Sequence, residues 1–138
     1  MTHTDIMLYV AMAVLVVILV VLLLLRRYRS RHLNNVYFAE RWKDLQAHCK
    51  SRKTWPLAII DADNLLDEAL KRGLYKGKTT GERLVTAQHT LTSNESVWFG
   101  HKLRNKIAGE DVRKLKKQDI LQALGGFRQA LKDLGALK

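Results

Sequence analysis

Residues 6–25 read IMLYVAMAVLVVILVVLLLL, a stretch with no charge, no glycine and no proline. An α-helix rises about 1.5 Å per residue, so about 20 residues make roughly 30 Å, the thickness of a bilayer's hydrocarbon core. A helix that is apolar on every face has no polar side to turn to water. The stretch therefore reads as a transmembrane helix. It is longer than the apolar region of a typical signal peptide, about 7–15 residues. No basic segment precedes it and no small-residue cleavage pattern follows, so it is expected to remain as an anchor.

The flanks predict its direction. Met1, Thr2, His3, Thr4 and Asp5 include no Lys or Arg, whereas Arg26, Arg27, Arg29 and Arg31 follow the span. Basic flanks stay in the cytoplasm. Tyr28 among them suits an aromatic anchor at the interface. The expected organisation is an extracytoplasmic segment 1–5, a span 6–25, a basic juxtamembrane segment 26–33 and a cytoplasmic helical bundle 34–138, all at the cell's inner (plasma) membrane.

All 24 Lys and Arg lie after the span, and of the 13 acidic residues only Asp5 precedes it, so the remainder carries a formal +12. Such an excess favours anionic lipid headgroups or nucleic acid as partners. The single cysteine, Cys49, forms no intramolecular disulfide and suits a reducing compartment. The histidines at 3, 32, 48, 89 and 101 show no metal-ligand spacing. Neither a metal site nor a cofactor is expected.

Beyond the span the period is helical throughout, and no stretch alternates at period two. Phe38, Trp42, Leu45 and Cys49 share one face of a helix over 34–50, with no Pro or Gly to separate it from the span. SRKTWP is a break, with Pro56 in the first turn of the next helix and Trp55 extended before it. That helix carries Ala58, Ala62, Leu65, Leu66, Ala69 and Leu70 on one face and ends at Gly73, a candidate left-handed cap. Thr79 and Glu82 have the spacing of a capping box. Ser93 or Asn94 caps a helix through Ala108, and Ile120, Leu124, Phe127, Leu131 and Leu134 mark the last one. The expectation is an all-α protein: one transmembrane helix, then a small up-down bundle of four to five helices.

Polar residues at the edges of these apolar faces are the candidate site. Gly77, Lys78 and Thr79 echo the end of a phosphate-binding loop, but Arg72 stands where that motif needs its first glycine. Asp63 and Asp67 are four apart on one helical face and repel unless a cation lies between them. Arg104, between Gly100 and Ile107 on one side and Val97 and Ala108 on the other, is the expected partner. Asn105 stands beside it and His101 one turn earlier. Asp63, Asp67 and Arg104 form the expected structural cluster; Arg104, Asn105 and His101 are the catalytic candidates.

The segments WPLAIIDADNLLDEALKRGLYKGKTTGERL (55–84) and WFGHKLRNKIAG (98–109) carry a resemblance. Over about residues 37–135 the chain resembles a family of bacterial membrane-anchored proteins whose soluble part is similar to the HEPN domain. The resemblance implies a four-helix bundle, often dimeric, and in many members a metal-independent RNase. The family's signature is an Arg, often followed by a polar residue, with a His four to six residues further on. Arg104 and Asn105 match its first part. Where the His belongs, this chain has Gly109, Glu110 and Asp111. In the implied chemistry the His moves a proton and the Arg stabilises phosphate charge. The expected function is therefore a membrane-anchored, HEPN-like module that binds or scaffolds without catalysis. A metal-independent endoribonuclease using Arg104 and His101 is one alternative, and a structural membrane-surface protein with no ligand is another.

Overall fold

The computed structural model describes residues 2–31, 33–108 and 114–138, with side chains of 27–31 outside the description. Among the described residues it is all-helical, and the chain divides into two units, Met1–Arg31 and His32–Lys138.

The first unit is one helix, α1 (His3–Arg31). Its segment His3–Arg26 has a mean hydropathy of 3.4 over its most apolar window, and none of that window is buried within the chain. An apolar surface of this kind is stable only where the surroundings are themselves apolar.

The second unit contains α2 (Asn35–Gln46), α3 (Trp55–Arg72), α4 (Thr80–Thr86), α5 (Asn94–Ile107) and α6 (Lys117–Asp133), with two 3₁₀ turns, Ala47–Lys50 and Arg52–Thr54, between α2 and α3. The expected continuity from span to residue 50 is not found: Asn34 leaves the helical backbone and its side chain accepts from the Tyr37 N–H, starting α2 afresh. Cys49 accordingly falls in a 3₁₀ turn and not on α2. Trp55 is helical (φ −53°, ψ −42°) and not extended, with Pro56 in the first turn as expected. Its indole N–H donates to the Cys49 carbonyl at 3.0 Å, which ties the helix start to the preceding turn.

α3 is the central element. Ala58, Ile59, Ala62, Leu65, Leu66, Ala69 and Leu70 along it are buried, and it packs against α2, α4, α5 and α6. Phe38, Trp42 and Leu45 of α2 and Ile120, Ala123, Phe127, Ala130 and Leu131 of α6 complete the core. Each large side chain of this set contributes roughly 1.5–3 kcal/mol by leaving water.

α5 and α6 pack through glycines. A Cβ on Gly126 would lie 2.6 Å from the Ser96 backbone, and one on Gly100 2.7 Å from the Phe127 ring. Gly125 has nothing within 4 Å of its Cβ position, so close packing explains its neighbour and not Gly125 itself.

The end of α3 corrects the expectation for Gly73, whose φ is −77°. Leu74 takes the left-handed conformation instead (φ 63°), because the helix runs one residue further than the glycine suggests. The Tyr75 N–H then bonds the Leu70 carbonyl and the Leu74 N–H the Lys71 carbonyl, both at 3.0 Å, the two bonds of a Schellman cap. α6 ends in the same pattern with Gly135 (φ 81°) in that place.

Candidate functional site

Asp63 projects from the middle of α3 and is 3% exposed. A carboxylate at that depth needs donors. They come from α5, where His101 and Arg104 are three residues apart and so share a face. His101 Nδ1 stands 2.8 Å from Asp63 Oδ1. Because an ionised carboxylate only accepts, Nδ1 is the donor in this contact. Arg104 Nε is 3.7 Å from Asp63 Oδ2, an ion pair without a hydrogen bond. That Nε is buried and has no hydrogen-bond partner, while Nη1 reaches Asn105 Oδ1 at 3.4 Å.

Two further groups fix the imidazole. Trp98 meets it edge to face, with ring centroids 5.9 Å apart. Gly81 of α4 brings bare backbone close: a Cβ there would lie 3.9 Å from His101 Nε2 and 3.7 Å from the Trp98 ring. The result is a histidine with one nitrogen held by a buried carboxylate and the other facing the start of α4. That arrangement can accept a proton at Nε2 while Asp63 steadies the ring, with a guanidinium alongside for negative charge.

Asp67, one turn along α3, belongs to a different group. Arg83 Nε donates to its Oδ1 at 2.7 Å, and Lys71 Nζ lies 3.1 Å from its Oδ2. Burial pushes the Asp67 carboxyl up, but hydrogen bonds from Arg83, Lys71 and Thr80, with the Arg83 charge, outweigh it and hold it below the usual carboxylate range. Arg83 is itself buried and also donates through Nη1 to the Gly77 carbonyl at 2.6 Å. Gly77 has no room for a side chain, since a Cβ would meet the Arg83 amide at 2.7 Å. Thr79 Oγ1 accepts from the Glu82 N–H, and the Glu82 carboxylate returns to the Lys78 N–H rather than to Thr79. In this loop the Lys78 N–H is thus taken by Glu82, and the Gly77 carbonyl by the same Arg83 that binds Asp67 of α3.

The structure brings Asp63, His101 and Arg104 together and gives Asp67 to Arg83, a residue that the sequence reading did not select. The signal for Arg83 was its place beside Leu84 and one turn before Ala87, which puts it on the apolar side of a short helix. Asn105 is exposed, and its Oδ1 accepts from Arg104. Of the interface residues, Arg26 ends the apolar window of α1; the side chains of Arg27, Tyr28, Arg29 and Arg31 lie outside the described residues. Gly109, Glu110 and Asp111 also lie outside them. Among the described residues no group of three or more His, Cys, Asp and Glu side chains is arranged to hold a metal ion. Comparison with protein-family models, curated proteins and solved structures finds no match to this chain.

Proposed function

We propose that this chain is a single-pass protein of the inner (plasma) membrane, anchored by α1 with residues 34–138 in the cytoplasm, and that its helical unit is a HEPN-like module that binds or scaffolds at the membrane surface without catalysis. The observation that carries the reading is α1 itself: an apolar helix of transmembrane length, unburied by the rest of the chain, with four arginines after it and none before. The core of four longer helices, α2, α3, α5 and α6, and the placement of Arg104 and Asn105 near the end of α5 support the HEPN-like part. Glycine at position 109, where the related signature has its histidine, supports a non-catalytic role. The +12 charge makes anionic headgroups and RNA the partners to seek, and the resemblance adds a second copy of the chain. Alkaline carbonate extraction of membranes from expressing cells tests the anchor. The chain should stay in the pellet; its release would sink the reading.

The Asp63–His101 contact favours a second reading, a metal-independent endoribonuclease. His101 Nε2 would take the proton from a 2′-hydroxyl as that oxygen attacks the adjacent phosphorus, the bond to the 5′-oxygen breaks and that oxygen takes a proton from solvent water, and Arg104 stabilises the phosphate charge. Metal-free incubation of the detergent-solubilised chain with single-stranded RNA separates the two. A non-catalytic module leaves RNA as intact as its Arg104→Ala variant does. Cleavage that disappears in both His101→Ala and Arg104→Ala would transfer the function to the second reading. Cleavage by Gly109→His alone would mark the site as a vestige of such an enzyme.

A further inference from the structure

Away from the Asp63 cluster, a solvent-open groove of about 390 Å³ lies where the start of α2 meets the C-terminal residues. That volume is in the range of small-molecule clefts, about 300–1,000 Å³. Val36, Ala39, Trp42 and Leu137 give it an apolar wall, and Arg128 and Lys138 are its charged lining residues. Asn35 also lines it, its amide donating to the Gly135 and Ala136 carbonyls at 2.8 and 3.0 Å. The groove therefore asks for an amphiphile with a negative head.

Two observations select the occupant. No acidic residue lines the groove, and neither Arg128 nor Lys138 makes an ion pair among the described residues, so their charge is available to an anion. Second, only residues 32–34 separate Arg31 from Asn35. We propose that the groove seats an anionic phospholipid from the membrane that α1 spans, its phosphate held by Arg128 and Lys138 and its first acyl methylenes against Val36, Ala39, Trp42 and Leu137. This rests on the anchor reading above and adds to it a defined lipid site in the helical unit.

The test is native mass spectrometry of the full chain released from detergent micelles containing equal phosphatidylglycerol and phosphatidylcholine. The wild-type chain should retain one phosphatidylglycerol in preference to phosphatidylcholine. Arg128→Gln and Lys138→Gln should each reduce that preference about fivefold, the usual effect of one basic side chain at an anionic surface. Ala39→Trp, which fills the groove, should abolish it, and both exposed-charge variants should melt like wild type. Replacing Arg26, Arg27, Arg29 and Arg31 together with Gln should leave the preference intact. Three results overturn the site: no retained lipid, retention that follows the four arginines and ignores the groove variants, or groove variants that lose a second copy of the chain or bound RNA instead of lipid. Carbonate extraction keeps the two ideas apart. A chain that stays in membranes without holding phosphatidylglycerol refutes only the groove; a chain that carbonate releases refutes the anchor.

Discussion

Arg83 and Arg104 are both arginines within reach of an aspartate of α3, and their environments differ enough to predict different consequences. Arg83 is buried, bonds Asp67 at 2.7 Å and holds the Gly77 carbonyl. Arg83→Ala leaves Asp67 with only its exposed Lys71 ion pair and Thr80, and should lower stability by about 3 kcal/mol in thermal melts of the solubilised chain. The Arg104 side chain is 36% exposed and makes no hydrogen bond to Asp63. Solvent screens such a pair, so Arg104→Ala should cost about 1 kcal/mol or less. An equal loss in both variants would refute the distinction. Asp67 also sets an acid limit. Its carboxyl is held below the ordinary value in the folded state, so its stabilisation is complete above about pH 4 and fades as pH falls through the lower folded value. The melting temperature should fall below pH 4, and by less in Asp67→Asn than in wild type.

At the scale of the helices, the glycines of α6 invite a paired experiment. Gly125 is exposed with open space at its Cβ position, and Gly125→Ala should stabilise by about 1 kcal/mol through helix propensity alone. Gly126→Ala pushes a methyl into the Ser96 backbone and should cost about 1–3 kcal/mol as α5 and α6 move apart. If both variants shift the melting temperature in the same direction, the packing described for α5 and α6 is wrong. The cap of α3 offers the opposite exchange. Leu74 is exposed and left-handed, a conformation that costs a non-glycine residue about 1–2 kcal/mol. Leu74→Gly should raise stability by about 1 kcal/mol, whereas Gly73→Ala gains no such relief because Gly73 is not left-handed.

For the molecule as a whole, the proposed anchoring by α1 sets what to expect. Under the proposed topology, a periplasmic reporter fused after Lys138 should be silent and a cytoplasmic one active. Moving the four arginines of the 26–31 segment to positions 1–5 should reverse that result. Activity of the periplasmic fusion on the natural sequence would invert the orientation and place the basic unit outside. Residues 32–138 form a compact unit with its own core, so removing residues 1–31 should free the chain from membranes while leaving its helical circular dichroism. Collapse of that signal would mean that the helical unit depends on its anchor.

The apolar run 6–25, the one-sided faces of residues 55–72 and 117–133, and the charge step at Arg26 were all legible in the sequence. Each is a local property, fixed by the periodicity of one helix or the polarity of one segment. The interruption at Asn34 was harder to read, because an asparagine cap is a short-range competition that no Pro or Gly advertised. The left-handed residue was misplaced at Gly73 for a similar reason: the cap puts it at Leu74, one residue later, where no Gly or Asn advertises it. The pairing of carboxylates with cations was not local at all. Asp63 and Asp67 sit one turn apart and looked like a single acidic pair awaiting Arg104. Only the packing of α3 between α4 and α5 divided them, giving Asp63 to His101 and Arg104 from one neighbour and Asp67 to Arg83 from the other. A charge partner depends on which helices meet and at what angle, and that is set by the shape of the core they bury together.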